Sequence, residues 1–97
     1  MAGQIRITPD DMREIARKYN SEAEEVSGVI DRMDGLFNNL QSEWEGQASQ
    51  AYAQRYTELR PGFVSAKDLI VEIANALNSV ATQLAETDSS IANALRG

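Results

Sequence analysis

The most numerous side chains of this chain that could do chemistry are carboxylates, since it has 15 Asp and Glu but neither histidine nor cysteine. Asp10, Asp11 and Glu14 are close enough in sequence to pair as a general acid and a general base. They also follow Thr8 and Pro9, however, and acidic side chains are favoured in the first turn of a helix. We therefore interpret the cluster as the start of a helix.

Other chemical roles are limited by what the composition lacks. Without histidine and cysteine, the chain has no imidazole base, no thiolate nucleophile and none of the usual zinc ligands. The net charge of -6 opposes binding to nucleic acid, which depends on clustered Lys and Arg. We predict a protein that is not an enzyme and that has no cofactor, no metal and no small-molecule substrate.

The chain of 97 residues is long enough for a single domain, which we place over 1–97. A membrane span needs roughly 20 consecutive apolar residues. No apolar run in the sequence approaches that length. The first seven residues also lack the apolar run of a signal peptide. We expect a protein without a membrane span that leaves the cytoplasm, if it is exported, by a route independent of a signal peptide.

Two helices are predicted from residues of one face that recur every seven positions. Helix one is predicted over about 9–42, a turn over 43–46, helix two over about 47–83 and a tail over about 84–97. The main apolar rows contain Met12, Tyr19, Val26, Met33, Leu40, Ile15, Val29 and Leu36 in helix one, with Glu22 as a polar member, and Tyr52, Tyr56, Leu59, Phe63, Ile70, Ile73, Leu77 and Val80 in helix two. The pattern predicts an all-α antiparallel helix-turn-helix hairpin.

Pro61 interrupts the second pattern, and proline inside a helix removes a hydrogen bond and bends the chain. Because the apolar register is the same before and after it, we expect a bend followed by continued helix. Two separate helices are the alternative.

The main rows are predicted to face each other in the core, with Leu36, Ile73 and Leu77 among them. A neighbouring row that includes Ile30 and Phe37 widens the apolar surface beyond a single seam. We expect a second hairpin to cover this row, which would give a four-helix bundle. A homodimer is favoured over a heterodimer with a related hairpin protein.

Trp44-Glu45-Gly46 lies where both helical patterns break, near the middle of the chain. Trp44 is the only tryptophan, and it could either close the end of the hairpin or serve as an exposed anchor for a partner. Gly46 is expected to adopt a backbone conformation that residues with side chains resist.

A cysteine-free helical hairpin of this length with Trp-Xaa-Gly at its connection resembles the WXG family of small ESAT-like proteins exported by type VII secretion. The tail is similar to the family's export pattern, since Leu84, Asp88, Ile91 and Leu95 follow the order hydrophobic, acidic, hydrophobic, hydrophobic. The mycobacterial-type signal begins with tyrosine where this chain has Leu84, so the variant found in other Gram-positive bacteria fits better.

The resemblance implies a small secreted protein, or a secretion partner or chaperone, that is exported as a folded dimer. It also implies recognition by a membrane-anchored hexameric ATPase, with the turn of one subunit near the tail of the other. Two other functions stay open. One is a structural coiled-coil adaptor, and the other is a membrane-active effector, which the acidic composition disfavours.

Overall fold

The computed structural model describes residues 7–96, which form a hairpin of two α-helices. Helix α1 spans Pro9–Glu43 and helix α2 spans Gln47–Arg96. The described structure is a rod with extents of 77 × 25 × 17 Å. The predicted all-α helical hairpin is confirmed. Within residues 7–96, neither helix contains a stretch that is long and apolar enough to cross a membrane.

Helix α1 begins with a capping box built from Thr8 and Asp11. The Asp11 amide donates to Thr8 Oγ1 at 3.1 Å, and the Thr8 amide donates to Asp11 Oδ2 at 3.0 Å. The hydrogen bond that the Thr8 amide donates to the Asp11 carboxylate lowers the pKa of Asp11, and the Thr8 side chain adds to this effect. Pro9 occupies the first turn, where its missing amide hydrogen is not needed. The acidic cluster is therefore part of a helix start, as the sequence predicted.

Helix α2 passes through Pro61 without a break, so the alternative of two separate helices is wrong. Proline removes only one helical hydrogen bond, and most helix stability in proteins comes from packing of the apolar face. That face keeps its register on both sides of Pro61. The expected bend at this residue stays a prediction.

The segment predicted as a tail is helical as far as Arg96, so α2 does not end near residue 83. No proline or glycine interrupts residues 84–96, and the alanine and leucine that are frequent there favour helix. Gly97, the last residue of that segment, lies outside the described residues. So do the first six residues, in which no signal peptide is predicted.

The contact between the helices is built mainly from small side chains, and we call it the alanine seam. Its buried residues are Ala16, Ala23, Ile30, Ser49, Ala74 and Ala81. Ala16, Ala74 and Ala81 have a relative exposure of 0%. The distance between packed helices depends on the side chains at the contact, and alanine allows a close approach.

The predicted choice of core rows was wrong for the single hairpin. Leu36 and Ile73, predicted to face the opposite helix, are 70% and 37% exposed. Ile30, predicted for a surface awaiting a second hairpin, is buried inside the hairpin, while Phe37 and Leu77 are partly buried. Closely spaced helices leave no room between them for rows of large side chains, which therefore move to the side.

Those large side chains form one surface along the rod, which we call the open apolar face. Its members are at least 37% exposed and are Ile15, Tyr19, Val29, Leu36, Leu40, Tyr52, Leu59, Phe63, Ile73 and Val80. A groove of about 330 Å³ lies on this face, lined by residues of both helices that include Leu36, Leu40, Leu59 and Phe63. The two helices therefore present their large apolar side chains to the same side.

Candidate functional site

The turn between the helices depends on the backbone of Gly46. Trp44 follows the last residue of α1 as its C-cap, and its φ of -121° and ψ of 114° are extended. Gly46 has a φ of +117°, and its carbonyl accepts a hydrogen bond from the Gln50 amide at 3.2 Å. A Cβ atom on Gly46 would meet no other atom within 4 Å, so the site requires the conformation rather than the space. The predicted backbone role of Gly46 is confirmed.

Trp44 packs across the turn and keeps part of its surface accessible. Its ring lies 5.8 Å from the ring of Tyr52, with a tilt of 49° between the planes. The side chain is partly buried. Trp44 thus covers the end of the hairpin and still presents an aromatic surface, so it combines features of the two predicted roles.

An aromatic stack continues from Trp44 and Tyr52 along the hairpin. The ring of Phe37 lies 6.0 Å from that of Tyr52. It lies 4.2 Å from the ring of Tyr56, and the planes of Phe37 and Tyr56 differ by only 9°. Stacked rings contribute more stabilising free energy than the burial of their surface area alone would give. These residues join α1 to α2 beside the turn and hold it in a defined orientation.

The stack ends at a polar cluster of Asp34, Tyr56 and Arg60. Arg60 donates two hydrogen bonds to the Asp34 carboxylate, from Nε at 2.9 Å and from Nη2 at 2.8 Å. The Tyr56 hydroxyl donates a third, at 2.6 Å. The hydrogen bonds from Arg60 and then from Tyr56 lower the pKa of Asp34 to about 2. The hydrogen bond to Asp34 raises the pKa of Tyr56 and that of Arg60.

The sequence analysis missed this cluster, although the predicted hairpin contained a signal for it. Asp34 precedes Gly46 by nearly as many positions as Arg60 follows it. Two residues at similar distances from a tight turn lie opposite each other in a helical hairpin. A charge pair at such positions therefore predicts a contact that fixes the register of the two helices.

The four residues of the predicted export pattern lie on one helix. Spacings of four, three and four positions bring Leu84, Asp88, Ile91 and Leu95 to one side of α2. Leu84 is partly buried and Asp88 is exposed, while Ile91 and Leu95 are 54% and 83% exposed. Because α2 has 50 residues and α1 has 35, the end of α2 extends past the start of α1.

The turn and the export pattern are far apart within one chain, because most of α2 separates Gly46 from Asp88. At about 1.5 Å of rise per residue, that stretch of helix is roughly 60 Å long. The structure therefore brings Trp44 and Gly46 together at one end of the rod, and Leu84, Asp88, Ile91 and Leu95 together near the other. A single copy cannot present both groups as one surface.

Residues 4–89 match the WXG100 family, described as proteins of 100 residues with WXG. The Trp44-Glu45-Gly46 turn is the feature after which that family is named. This chain belongs to the WXG100 family. Ile91 and Leu95 lie beyond the matched range, so the family match itself does not include the whole export pattern.

Relatives of this WXG100 protein match it over almost its full length. Protein YukE of Bacillus subtilis (strain 168) is 40% identical over 97 residues, which is 100% of both chains. The type VII secretion system extracellular protein A of Staphylococcus aureus (strain USA300) is 24% identical over 89 residues, covering 92% of each. The structure of Geobacillus thermodenitrificans EsxA is 42% identical, has a TM-score of 0.78, and aligns over 94% of this chain and 100% of that one.

Proposed function

We propose that this WXG100 protein is a substrate or partner of a type VII secretion system, exported as a folded dimer without a signal peptide. Its receptor is a membrane-anchored hexameric ATPase. The recognised surface combines Trp44 and Gly46 at the turn with Leu84, Asp88, Ile91 and Leu95 in the tail. The observation that carries this proposal is a rod with these two groups at opposite ends and an open apolar face between them.

The size of the exposed surface supports a dimer. The accessible surface of the structure is 7384 Å². A compact monomer of this mass has an accessible surface of about 5,500 Å². If each of two copies buried an excess of roughly 1,900 Å², the interface would total roughly 3,800 Å², which is in the range of obligate homodimers. The open apolar face supplies the large side chains that the core of such an interface needs, and a second copy would cover it without requiring a different gene product.

Dimerisation would also bring the turn residues and the tail residues, which are far apart in one copy, close together. A second rod of the same length in the opposite direction brings its turn toward the tail of the first rod. Asp88 then supplies a charged contact flanked by apolar side chains, and Trp44 of the other copy supplies an aromatic one. Such a combination of an aromatic anchor and a charge is typical of specific interfaces.

The experiment is a secretion assay in a host with an active type VII system. Asp88→Ala, Leu95→Ala and Trp44→Ala are each expected to abolish export while the protein stays folded and dimeric in the cytoplasm. Glu86→Ala is the matched control, because Glu86 is an exposed acid two positions away that is not part of the pattern. It should be exported like the wild type.

Helicity, melting temperature and dimer mass are measured beside the secreted fraction, since an unfolded variant reports nothing about recognition. Export of folded Asp88→Ala and Leu95→Ala at the wild-type level would refute the recognition proposal. The open apolar face would then favour the second candidate function, a coiled-coil adaptor whose tail tolerates conservative change. Leakage from liposomes would instead support the membrane-active effector.

A further inference from the structure

One polar row, with three charged members, borders the open apolar face on α1, and we call it the outer rim. It contains Lys18, Glu25, Arg32 and Asn39, which recur every seven positions and are all exposed. Helical geometry places this row beside the row of Ile15, Val29 and Leu36, on the side away from α2. Residues in this position flank the contact when a second helix covers the apolar rows.

Arg32 has no charged residue three or four positions away in its own helix. The residues three and four positions away are Gly28, Val29, Gly35 and Leu36, none of which is charged. Among residues 7–96, Arg32 forms no ion pair. Its guanidinium folds over Gly28, with Nη1 3.2 Å from where a Cβ atom of that residue would lie. Arg32 therefore has a free charge at the edge of an apolar surface.

Glu22 carries a negative charge that could pair with a cation such as Arg32, and it is the one polar member of an otherwise apolar row. It lies between Ile15 and Val29 on the open apolar face and is exposed in the hairpin. Covering this position with apolar side chains alone would remove a carboxylate from water without compensation. A cation from the partner that covers the face would provide this compensation.

We propose that Arg32 of one copy lies between Glu22 and Glu25 of a second copy, twice across a two-fold axis. This inference rests on the proposed dimer. If the α1 helices of the two copies run antiparallel with the axis near residues 27 and 28, the large side chains of the two rows alternate. Ile15 then faces Leu40, and Tyr19 faces Leu36, of the second copy.

The same register fixes the position of Arg32. It comes opposite residue 23 of the second copy, so Glu22 is offset along the axis by about 1.5 Å and Glu25 by about 3 Å. Both offsets are within reach of an arginine side chain. Within one chain Glu25 and Arg32 are separated by roughly 10.5 Å along the helix axis. They line the same surface cleft without forming an ion pair, which leaves both charges available to a second copy.

A parallel dimer does not offer these contacts. In that arrangement α1 lies on α2 of the second copy, in the register that pairs Asp34 with Arg60 within the hairpin. Glu25 is nine positions before Asp34 and Leu69 is nine positions after Arg60, so Glu25 lies opposite Leu69. Arg32 is two positions before Asp34 and Gly62 is two positions after Arg60, so Arg32 lies opposite Gly62. The charges of the outer rim therefore select the antiparallel dimer and set its register, as charges flanking an apolar contact do in coiled coils.

The test uses two variants with opposite changes of charge. Arg32→Glu leaves only acidic side chains at positions 22, 25 and 32. Glu22→Lys combined with Glu25→Lys leaves only cationic side chains there. Each variant alone should form homodimers at least about tenfold more weakly than the wild type at low salt, because attraction becomes repulsion at two symmetric sites. Mixed together, the variants should recover dimerisation, and native mass spectrometry should show one copy of each.

Arg17, Glu24 and Asp31 provide matched controls in a row on the side of α1 away from the open apolar face. Arg17→Glu, and Glu24→Lys with Asp31→Lys, make the same charge changes and should leave the dimer affinity unchanged. Circular dichroism checks that every variant is helical. Unchanged homodimers of both rim variants, or a mixture that associates no better than its components, would overturn the ion pairs alone. A folded wild type that stays monomeric at micromolar concentration would refute the proposed dimer as well.

Discussion

Truncation of Ile30 and of Leu36 distinguishes the alanine seam from the open apolar face. Each change to alanine removes the same number of carbon atoms from the same helix, but Ile30 is 5% exposed and Leu36 is 70% exposed. A buried methylene contributes about 0.8 kcal/mol, so the three groups lost at Ile30 are worth roughly 2.4 kcal/mol. With the cavity left behind, Ile30→Ala should lower the unfolding free energy of the hairpin by about 2–4 kcal/mol.

Leu36→Ala should affect the single hairpin much less. About a third of its side chain is covered within one copy, so its truncation should cost roughly 0.7 kcal/mol in the monomer. The larger effect should appear in the dimer, where a second copy covers the groove that Leu36 lines. Leu36→Ala should therefore raise the dissociation constant of the dimer, whereas Ile30→Ala should act mainly on the hairpin itself.

The assay is urea unfolding followed by circular dichroism over a wide range of protein concentration, with dimer mass measured by sedimentation. At the lowest concentration, where the wild type dissociates, only Ile30→Ala should lose substantial stability. The loss for Leu36→Ala should grow with concentration, because it reports on association. Equal losses for the two variants at the lowest concentration would show that Leu36 belongs to the core of the hairpin and would refute the alanine seam.

Three further changes probe the turn, the helix start and the polar cluster. Gly46→Ala should cost about 1–2 kcal/mol in urea unfolding, because a residue with a Cβ atom is strained at positive φ. An unchanged midpoint for this variant would contradict the role of the backbone conformation. Thr8→Ala should cost about 0.5–2 kcal/mol in the same measurement through loss of the cap, while Thr57→Ala should have a smaller effect. The pKa of Asp34 is about 2 in the folded chain, below its ordinary value of 3.8. Its contribution to stability should therefore be complete above about pH 4 and be lost as the pH falls toward about 2, and Asp34→Asn should lack this part of the pH dependence in unfolding curves recorded across that range.

The sequence was sufficient for the elements of this fold because their determinants are local. Thr8, Pro9 and Asp11 make a cap from residues that are neighbours in the chain, and Gly46 supplies a conformation that depends on its own missing side chain. The seven-residue period indicates helices that bury one side, whichever partner they pack against. The two-helix hairpin and the position of its turn follow from these signals.

The choice of the buried side was decided only by the tertiary structure. The alanine row and the rows of large side chains share one period and lie side by side, so periodicity alone does not tell which row faces the other helix. The answer depends on how closely two backbones approach. That distance is set by buried residues such as Ala23 and Ala74, which are brought into one seam only by folding.

The register of the hairpin was also beyond the sequence pattern. Asp34 and Arg60 each look like ordinary charges on a helix surface, and neither interrupts an apolar row. Their two hydrogen bonds exist because the turn and the aromatic stack place 34 opposite 60 to within a fraction of a helical turn. Local sequence determines where helices begin and end, whereas contacts between residues distant in the chain depend on a three-dimensional alignment that only the packed structure contains.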